Sequence, residues 1–552
     1  MYIRRVKRKN KDGSEVAYIQ LAHNEWDSEK QYSKAHVIYS FGREDQLDLA
    51  VLERLADSVN RFLGPKRALK SKAQIEKATD IVFKTAKNLG GSWALDQLWS
   101  NLELDRVIKE ILSSRNFSID IERNLFTMVA NRALNPSSKL AIENWVANKT
   151  YVPGVEEVNR HNLYRTMDFL LEAKEDLEKE VFISISHLLN LEVDLLFFDT
   201  TSTYFEVEPQ DVEEEDLRAL GYSKDKRPDL VQVVVGLAVT RDGIPIKSWV
   251  WPGNKPDKAV IEEVKNDLVG WKLGRVITVL DRGFDSEHNK RYLQRTGGHY
   301  IMGSKMRNSG KNAKEALGKK GRFQKIDDKL QVKEIIVGNG EARKRYVLAY
   351  NPERAEYEKK QREQIIEDIE DQLKAIKQLP EKKHTKAMGA LRSHKVYGKY
   401  VRQLKDGRLR IDRMKIRKEE HYDGKYLIQT SDNTIAAEDV AKGYKQLIDI
   451  KDAFRTMKTG LKLRPVYHRL EKRIRAHVLI AWLSLLLVRI AERATDKTWN
   501  KLRDTLEDIQ VGEFISNSGR FKMRTDLTRE QAGILATMGV DEPPSFLKME
   551  PN

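Results

Sequence analysis

The stretch that most constrains the fold of this 552-residue chain is Leu191 to Phe205, LEVDLLFFDTTSTYF. Its apolar residues run into Asp199, and a series of hydroxyl residues follows at once. A short apolar run rich in aromatic side chains and bounded by polar residues reads as a central strand buried on both faces. A carboxylate at the end of such a strand is costly to bury unless it is paired or holds a metal ion. The pattern returns in RVITVLDRGFDS, an apolar run ending on Asp281, 82 residues further on (281 minus 199). Two strands that each end on aspartate can bring two hard oxygen ligands together, a donor set that suits Mg²⁺. Capping of a strand end is the plain alternative for either aspartate alone.

The segments around this pair change period in a definite order. VQVVVGLAVT (231–240) turns at Arg241-Asp242-Gly243 into IPIKSWVWPGN (244–254), and Asp-Gly between two apolar runs is a strong hairpin signal. KAVIEEVKNDLVGWKL has helical spacing, RVITVLD is the strand carrying Asp281, SEHNKRYLQRTGG is a second helix and HYIMGSK a fifth strand. Three strands, helix, strand, helix, strand is the ribonuclease-H-like order of elements, and it sets Asp199 beside Asp281. The expected fold class is multidomain α+β: a ribonuclease-H-like α/β core over 191–305 and 425–490, interrupted by a large β-rich insertion over 306–424, with a helical C-terminal region over 491–552. Upstream, 1–63 reads as short strands followed by a helix from Gln46 to Leu63, and 64–190 as a helical, DNA-binding region. Within the latter, NRALNPSSKLAIENW starts a helix at Pro136-Ser137-Ser138, whose hydroxyl groups can cap it.

Composition narrows the partners. With 99 Lys and Arg against 83 Asp and Glu, the net charge is +16, which favours a polyanion, nucleic acid ahead of a membrane surface. The absence of cysteine excludes disulfides, thiolate zinc sites and cysteine nucleophiles. The most apolar run, Val478 to Val488, is too short to span a bilayer and reads as a core helix. No leader opens MYIRRVKRKNKDG, so a cytoplasmic setting without a membrane partner is expected.

Taken together, FFDTTSTYFE, GYSKDKRPDL with QVVVGLAV, DGIPI with PGN, LDRGF, YIMGSK, YKQLIDIKDAFRTMK, LKLRPVYH and RIRAHVLIAWLSLLL resemble the bacterial insertion-sequence transposases of the DDE superfamily. The resemblance is to the branch with a β-rich insertion and a third block reading Tyr-x2-Arg-x3-Glu-x6-Lys. It implies Mg-dependent phosphodiester hydrolysis and transesterification at the ends of the chain's own insertion sequence, with two Mg²⁺ ions (Mn²⁺ as the alternative) at Asp199 and Asp281. It also implies double-stranded DNA, both transposon ends and target, as the partner, a homodimer on that DNA, and the bacterial nucleoid as the setting.

One departure qualifies the resemblance. Setting Tyr444 on the motif's Tyr puts Leu447 on its Arg, Lys451 on its Glu and Lys458 on its Lys. The third catalytic carboxylate is thus a lysine. On one continuous helix Tyr444, Ile448, Lys451, Arg455 and Lys458 share a face, with Asp452 turned away by about 100°. Asp452 is the candidate third catalytic residue beside Asp199 and Asp281, through a local helix distortion. Otherwise Lys451 makes the chain a catalytically impaired protein that binds the element's ends. Tyr444, Arg455, Lys458, Arg464 and His468 are the candidate DNA contacts. His468 and His477 read as helix-packing or phosphate-contacting groups, since no His-x-x-x-His pair is present.

Overall fold

The computed structural model describes residues 2–9, 15–27, 32–44, 47, 81–113, 115, 117–189, 194–206, 217–269, 271, 276–307, 310–516 and 519–551. The helix expected over Gln46 to Leu63, the basic connector after it and nearly all of the acidic loop 206–216 lie outside them. The chain divides into two units, Met1–Lys84 with Glu513–Phe521 and Met549–Asn552, and Thr85–Gly512 with Lys522–Lys548. The first holds an antiparallel three-stranded sheet of order β1 (Tyr2–Lys9), β2 (Glu15–Asp27), β3 (Tyr32–Arg43). Its first two strands pair Tyr2 with Ala22 through to Lys9 with Glu15, and the expected turn Lys11-Asp12-Gly13 lies outside the described residues.

After β4 (Val82–Asn88) the second unit begins with six helices: α1 (Gly90–Asn101), α2 (Leu104–Leu112), α3 (Ile121–Leu134), α4 (Lys139–Asn148), α5 (Arg160–Glu172) and α6 (Lys174–Leu188). Leu95, Leu98, Trp99, Leu102, Leu104, Val107 and Ile108 are all buried, as the helical spacing of that stretch requires. Ser138 caps α4, its hydroxyl accepting from the Ala141 N–H at 3.2 Å.

The main sheet is assembled from β5 (Leu195–Tyr204), β6 (Gln232–Val239), β7 (Pro245–Pro252), β8 (Ile277–Leu280), β9 (His299–Ser304), β10 (Gln324–Asp327), β11 (Leu330–Val337) and β12 (Lys344–Tyr350). A two-stranded ribbon, β13 (Val401–Gln403) and β14 (Leu409–Ile411), stands apart from it, and β15 (Lys425–Thr430) completes it. The order of its nine strands is β10-β11-β12-β15-β9-β8-β5-β6-β7. Strands β5, β8 and β9 are mutually parallel neighbours and the remaining pairs are antiparallel. Helices α7 (Ile261–Asp267), α8 (Glu287–Gln294) and α9 (Lys311–Gly318) punctuate these strands. Between β12 and β15 come α10 (Pro352–Gln378), α11 (Glu381–Ser393) and α12 (Arg413–Glu420), with a small core of their own around Ile369, Leu391, Tyr400 and Val401.

Alternation along β5 decides what covers each face of the sheet. Leu196 and Phe198 join a core with Val260, Ile261, Val264 and Leu293, beneath α7 and α8. Leu195 and Phe197 join the larger core, with Val440, Ile450, Phe454 and Leu479. Those four come from α13 (Ala437–Lys445), α14 (Leu447–Arg455) and α15 (Glu471–Thr495). By length and composition α15 could cross a membrane, but 83% of its most apolar window is buried inside the protein, where it packs on α3 and α5.

The helical C-terminal region expected over 491–552 is corrected. Besides α16 (Trp499–Glu507) and α17 (Arg529–Thr537) it contains β16 (Gln510–Ser516), β17 (Gly519–Arg524) and β18 (Phe546–Pro551). QVGEFIS and GRFKMR alternate polar with apolar residues on either side of Asn517-Ser518, and this period-two signal overrides the helical spacing around it.

Candidate active site

The parallel pairing of β5 with β8 runs from Leu195↔Ile277 to Phe198↔Leu280, so Asp199 and Asp281 are the next residues on two neighbouring strands. Parity fixes their side. Asp199 follows Leu195 and Phe197, and Asp281 follows Ile277 and Val279, all four on the face covered by α13 and α14. Backbone amides orient both carboxylates: Thr200 N donates to Asp199 Oδ1 at 2.8 Å, and Arg282 N to Asp281 Oδ1 at 2.6 Å. Burial pushes the Asp199 carboxyl up to about 6, against the pull of Lys224 and the Thr200 amide, and the neighbouring Asp281 adds to the rise.

The third block does not form one helix. α13 ends at Lys445, α14 begins at Leu447, and a π-helical turn over Thr456–Gly460 follows. The division lets Val440, Ala441 and Gly443 on one piece, and Leu447, Ile450, Ala453 and Phe454 on the next, all be buried; burial outweighs helix continuity. Tyr444 and Lys451 still meet at the same carboxylate. The Tyr444 hydroxyl donates to Asp281 Oδ1 at 3.3 Å and the Lys451 ammonium to Oδ2 at 3.4 Å. The phenol lies over Gly303 of β9, where a Cβ would stand 2.1 Å from its oxygen, so the strand needs glycine there. Burial, then the charge of Asp281, pushes the phenol's pKa up, which keeps it a donor at neutral pH.

Other candidate residues sit differently from the sequence expectation. Asp452, the expected third ligand, pairs with Arg455 at 3.0 Å; among the described contacts none takes it to Asp199 or Asp281. It is one residue on from Lys451, and that step of about 100° turns it off the face that meets the sheet. Lys458 and Arg464, expected as exposed phosphate contacts, both bond Asp225 Oδ1, Lys458 at 2.7 Å. The Lys458 and Asp225 side chains are only 11% and 6% exposed, because the π-turn carries Lys458 inward. Arg455 is exposed, and His468 packs against the rings of Tyr164 and His477.

Two contributors were not singled out from the sequence. Lys224 donates to the Thr200 carbonyl at 2.8 Å and its hydroxyl at 2.7 Å, and pairs with Asp257 at 3.0 Å. It therefore braces the end of β5 just beyond Asp199. Its only signal was its place in the block GYSKDKRPDL, which carried the resemblance without assigning roles. Glu358, from α10, lines with Asp281, Arg282, Lys305, Lys425 and Lys451 a cavity of about 580 Å³ that opens beside Asp281. Nothing local to a long charged helix distinguishes Glu358, whose carboxylate accepts from Arg354 and from the Gly424 amide.

Among the described residues no group of three or more His, Cys, Asp or Glu side chains is arranged to hold a metal ion. Asp199 and Asp281 offer hard carboxylate oxygens of the kind that would hold one divalent cation, and such an ion would compete with Lys451 for Asp281. The pair is a weak lock: Lys451 is 53% exposed, and a pair this exposed contributes about 0–1 kcal/mol.

Residues 3–72 match the family model described as IS1634 family transposase, N-terminal domain. The described part of that match is mainly the β1-β2-β3 sheet. The match supports a DNA transposase. Among solved structures the chain is similar to piggyBac transposase in a synaptic complex with hairpin DNA, at a TM-score of 0.33 and 10% identity, over 75% of this chain and 78% of that one. A likeness so distant carries no argument about this chain. No curated protein matches the chain.

Proposed function

We propose that this protein is a DDE-type DNA transposase that binds the ends of its own insertion sequence and cuts and joins them with one Mg²⁺ held by Asp199 and Asp281. The observation that carries the reading is the placement of these two carboxylates at the ends of neighbouring parallel strands, facing the helices of the third block. The order β7-β6-β5-β8-β9 within the sheet supports a ribonuclease-H-like core, and the N-terminal match supports the transposase class. Bound there, Mg²⁺ supplies Lewis-acid stabilisation of phosphate oxygens and a more acidic attacking hydroxyl. The chain's own residues do the rest. Tyr444 and the Arg282 amide hold Asp281 in one orientation, and Lys224 holds the end of β5. Arg282, Lys305 and Lys425 line the cavity beside Asp281 and offer cations to the phosphates on either side of the scissile bond.

The second reading, an end-binding protein with impaired catalysis, rests on Lys451 lying against Asp281. One assay separates the two: cleavage of end-bearing duplex in Mg²⁺ by the parent, Asp199→Asn, Asp281→Asn, Lys451→Glu and Asp452→Asn. The expected result is cleavage by the parent, a loss of about 10³-fold or more in either strand-end variant, an increase in Lys451→Glu and no change in Asp452→Asn. End binding without cleavage in the parent, restored by Lys451→Glu, would establish the impaired reading.

A further inference from the structure

Away from the aspartates, the helical layer of the second unit contains a buried group of bases with no acid among them. Arg132 lies on α3, Lys139 is the first residue of α4, and His477 lies on α15; they are 6%, 3% and 4% exposed. His468, partly buried, stands beside them with its ring 5.4 Å from that of His477. Among the described residues the Arg132 guanidinium makes only long contacts, to the Leu461 carbonyl at 3.4 Å, the Lys462 carbonyl at 3.3 Å and His477 Nδ1 at 3.4 Å. Because Arg132 donates to Nδ1, the His477 proton sits on Nε2, which donates to the Leu463 carbonyl at 3.2 Å. His477 is thus neutral and supplies no charge of its own.

The remaining donors have nothing to meet. Arg132 Nε is buried without a partner. So is Asn131 Nδ2, while its Oδ1 accepts from Ser137 at 3.1 Å. Lys139 makes no hydrogen bond or ion pair with any described residue. The charged groups that act on Lys139, His468 and His477 are Arg132, Arg473 and one another, all basic, and burial together with them pushes all three pKa values down. Arg473, which acts on His468, itself pairs with Asp168 at 3.6 Å, and Lys472 pairs with the same carboxylate at 3.3 Å. A base buried with no counter-charge either gives up its proton or takes a counter-ion, and Arg132 keeps its charge, so the group favours an anion. The first turn of α4, a ten-residue helix, adds its N-terminal dipole at Lys139.

We infer that Arg132, Lys139 and His468 form an anion site that takes a phosphate group, and that on the transposase reading proposed above this phosphate belongs to the DNA backbone. The three residues come from NRALNPSSK and RPVYH, and they touch neither Asp199 nor Asp281 among the described contacts. The site therefore anchors DNA independently of the carboxylates that act on it.

Thermal unfolding of the full chain, with inorganic phosphate replacing chloride at matched ionic strength, tests the site. Phosphate should raise the melting temperature of the parent by stabilising the folded state alone. Lys139→Met should melt at or above the parent in chloride, since an unpaired buried cation is gone, and should need at least tenfold more phosphate for the same rise. Lys139→Gln serves if the methionine variant does not fold. An equal response in parent and variant, or a variant that melts well below the parent in chloride, overturns the site. A second arm measures binding of end-bearing duplex against salt. Loss of one backbone contact should flatten the slope of log affinity against log salt by about 0.9. A phosphate response without that change overturns the DNA source and leaves a free anion. Both arms positive in a parent that cuts no DNA would support the site while counting against the transposase reading.

Discussion

Asp225 and Lys139 are both charged side chains sealed into the same unit, with opposite provision for their charge. Asp225 has two cations, Lys458 and Arg464, drawn onto one of its oxygens, so its charge is met from within the protein. Lys139 is surrounded by further bases and has no counter-ion among the described residues. The aspartate pair stands between these extremes: Asp199 is buried enough to resist ionisation, while Asp281 is steadied by one phenol and one loosely held ammonium. A charge met from within the fold is scaffold, whereas a charge left unmet marks a place where something from outside belongs. On that view the negative imbalance at Asp199 and Asp281 asks for a cation and the positive one at Arg132 and Lys139 for an anion.

The sharpest way to break the contrast is to remove the acid that Lys458 and Arg464 share. Asp225→Asn leaves the buried Lys458 and the partly exposed Arg464 facing a neutral amide, and should lower the stability of the second unit by about 3 kcal/mol in denaturant unfolding. A change below about 1 kcal/mol would show that water already reaches the group. Asp199→Asn should act in the opposite sense. The folded-state value of Asp199, about 6, lies above its ordinary 3.8, so the protonated carboxyl favours the fold. That contribution is complete below about pH 4 and is lost as pH rises through about 6. The asparagine variant should therefore be the more stable at pH 8, by at most about 3 kcal/mol, with the gap closing in acid. Added Mg²⁺ should narrow the gap at pH 8 by stabilising only the parent.

Gly303→Ala comes next in size. Its Cβ meets the Tyr444 hydroxyl, and displacing the phenol should cost about 1–3 kcal/mol and free Asp281 from one of its two side-chain donors. A variant with unchanged stability would mean the phenol moves aside without resistance. The smallest effect belongs to Arg455→Ala. The pair with Asp452 is exposed on the arginine side, and its loss should change stability by less than about 0.5 kcal/mol. A larger loss would mean that Asp452 depends on Arg455 for more than surface charge.

Much of the frame was legible in the chain itself. Apolar runs ending at Asp199 and Asp281, the Asp-Gly hairpin between β6 and β7, and the strand HYIMGSK are local signals, read from a handful of adjacent residues. The period-two parity that sends both aspartates to the α13 and α14 face is equally local. The C-terminal strands were missed because QVGEFIS and GRFKMR are too short to compete with the helical spacing on either side. Asp452 was expected to reach the site through a local helix distortion, but the division of that segment leaves it off the face that meets the sheet. Lys458 was misplaced because a continuous helix does not contain the π-turn that precedes Leu461.

The sequence by itself therefore determined where strands end, which residues share a face, and that a lysine stands in the third block where the motif it resembles has a carboxylate. Only the tertiary structure decided which charges are matched. Asp225 meets Lys458 across 233 residues and Arg132 meets His477 across 345, separations over which no spacing rule operates. The physical reason is that hydrophobic periodicity is written into neighbouring residues, while the desolvation of a charge depends on whatever the folded chain, or a ligand, brings to it from far away.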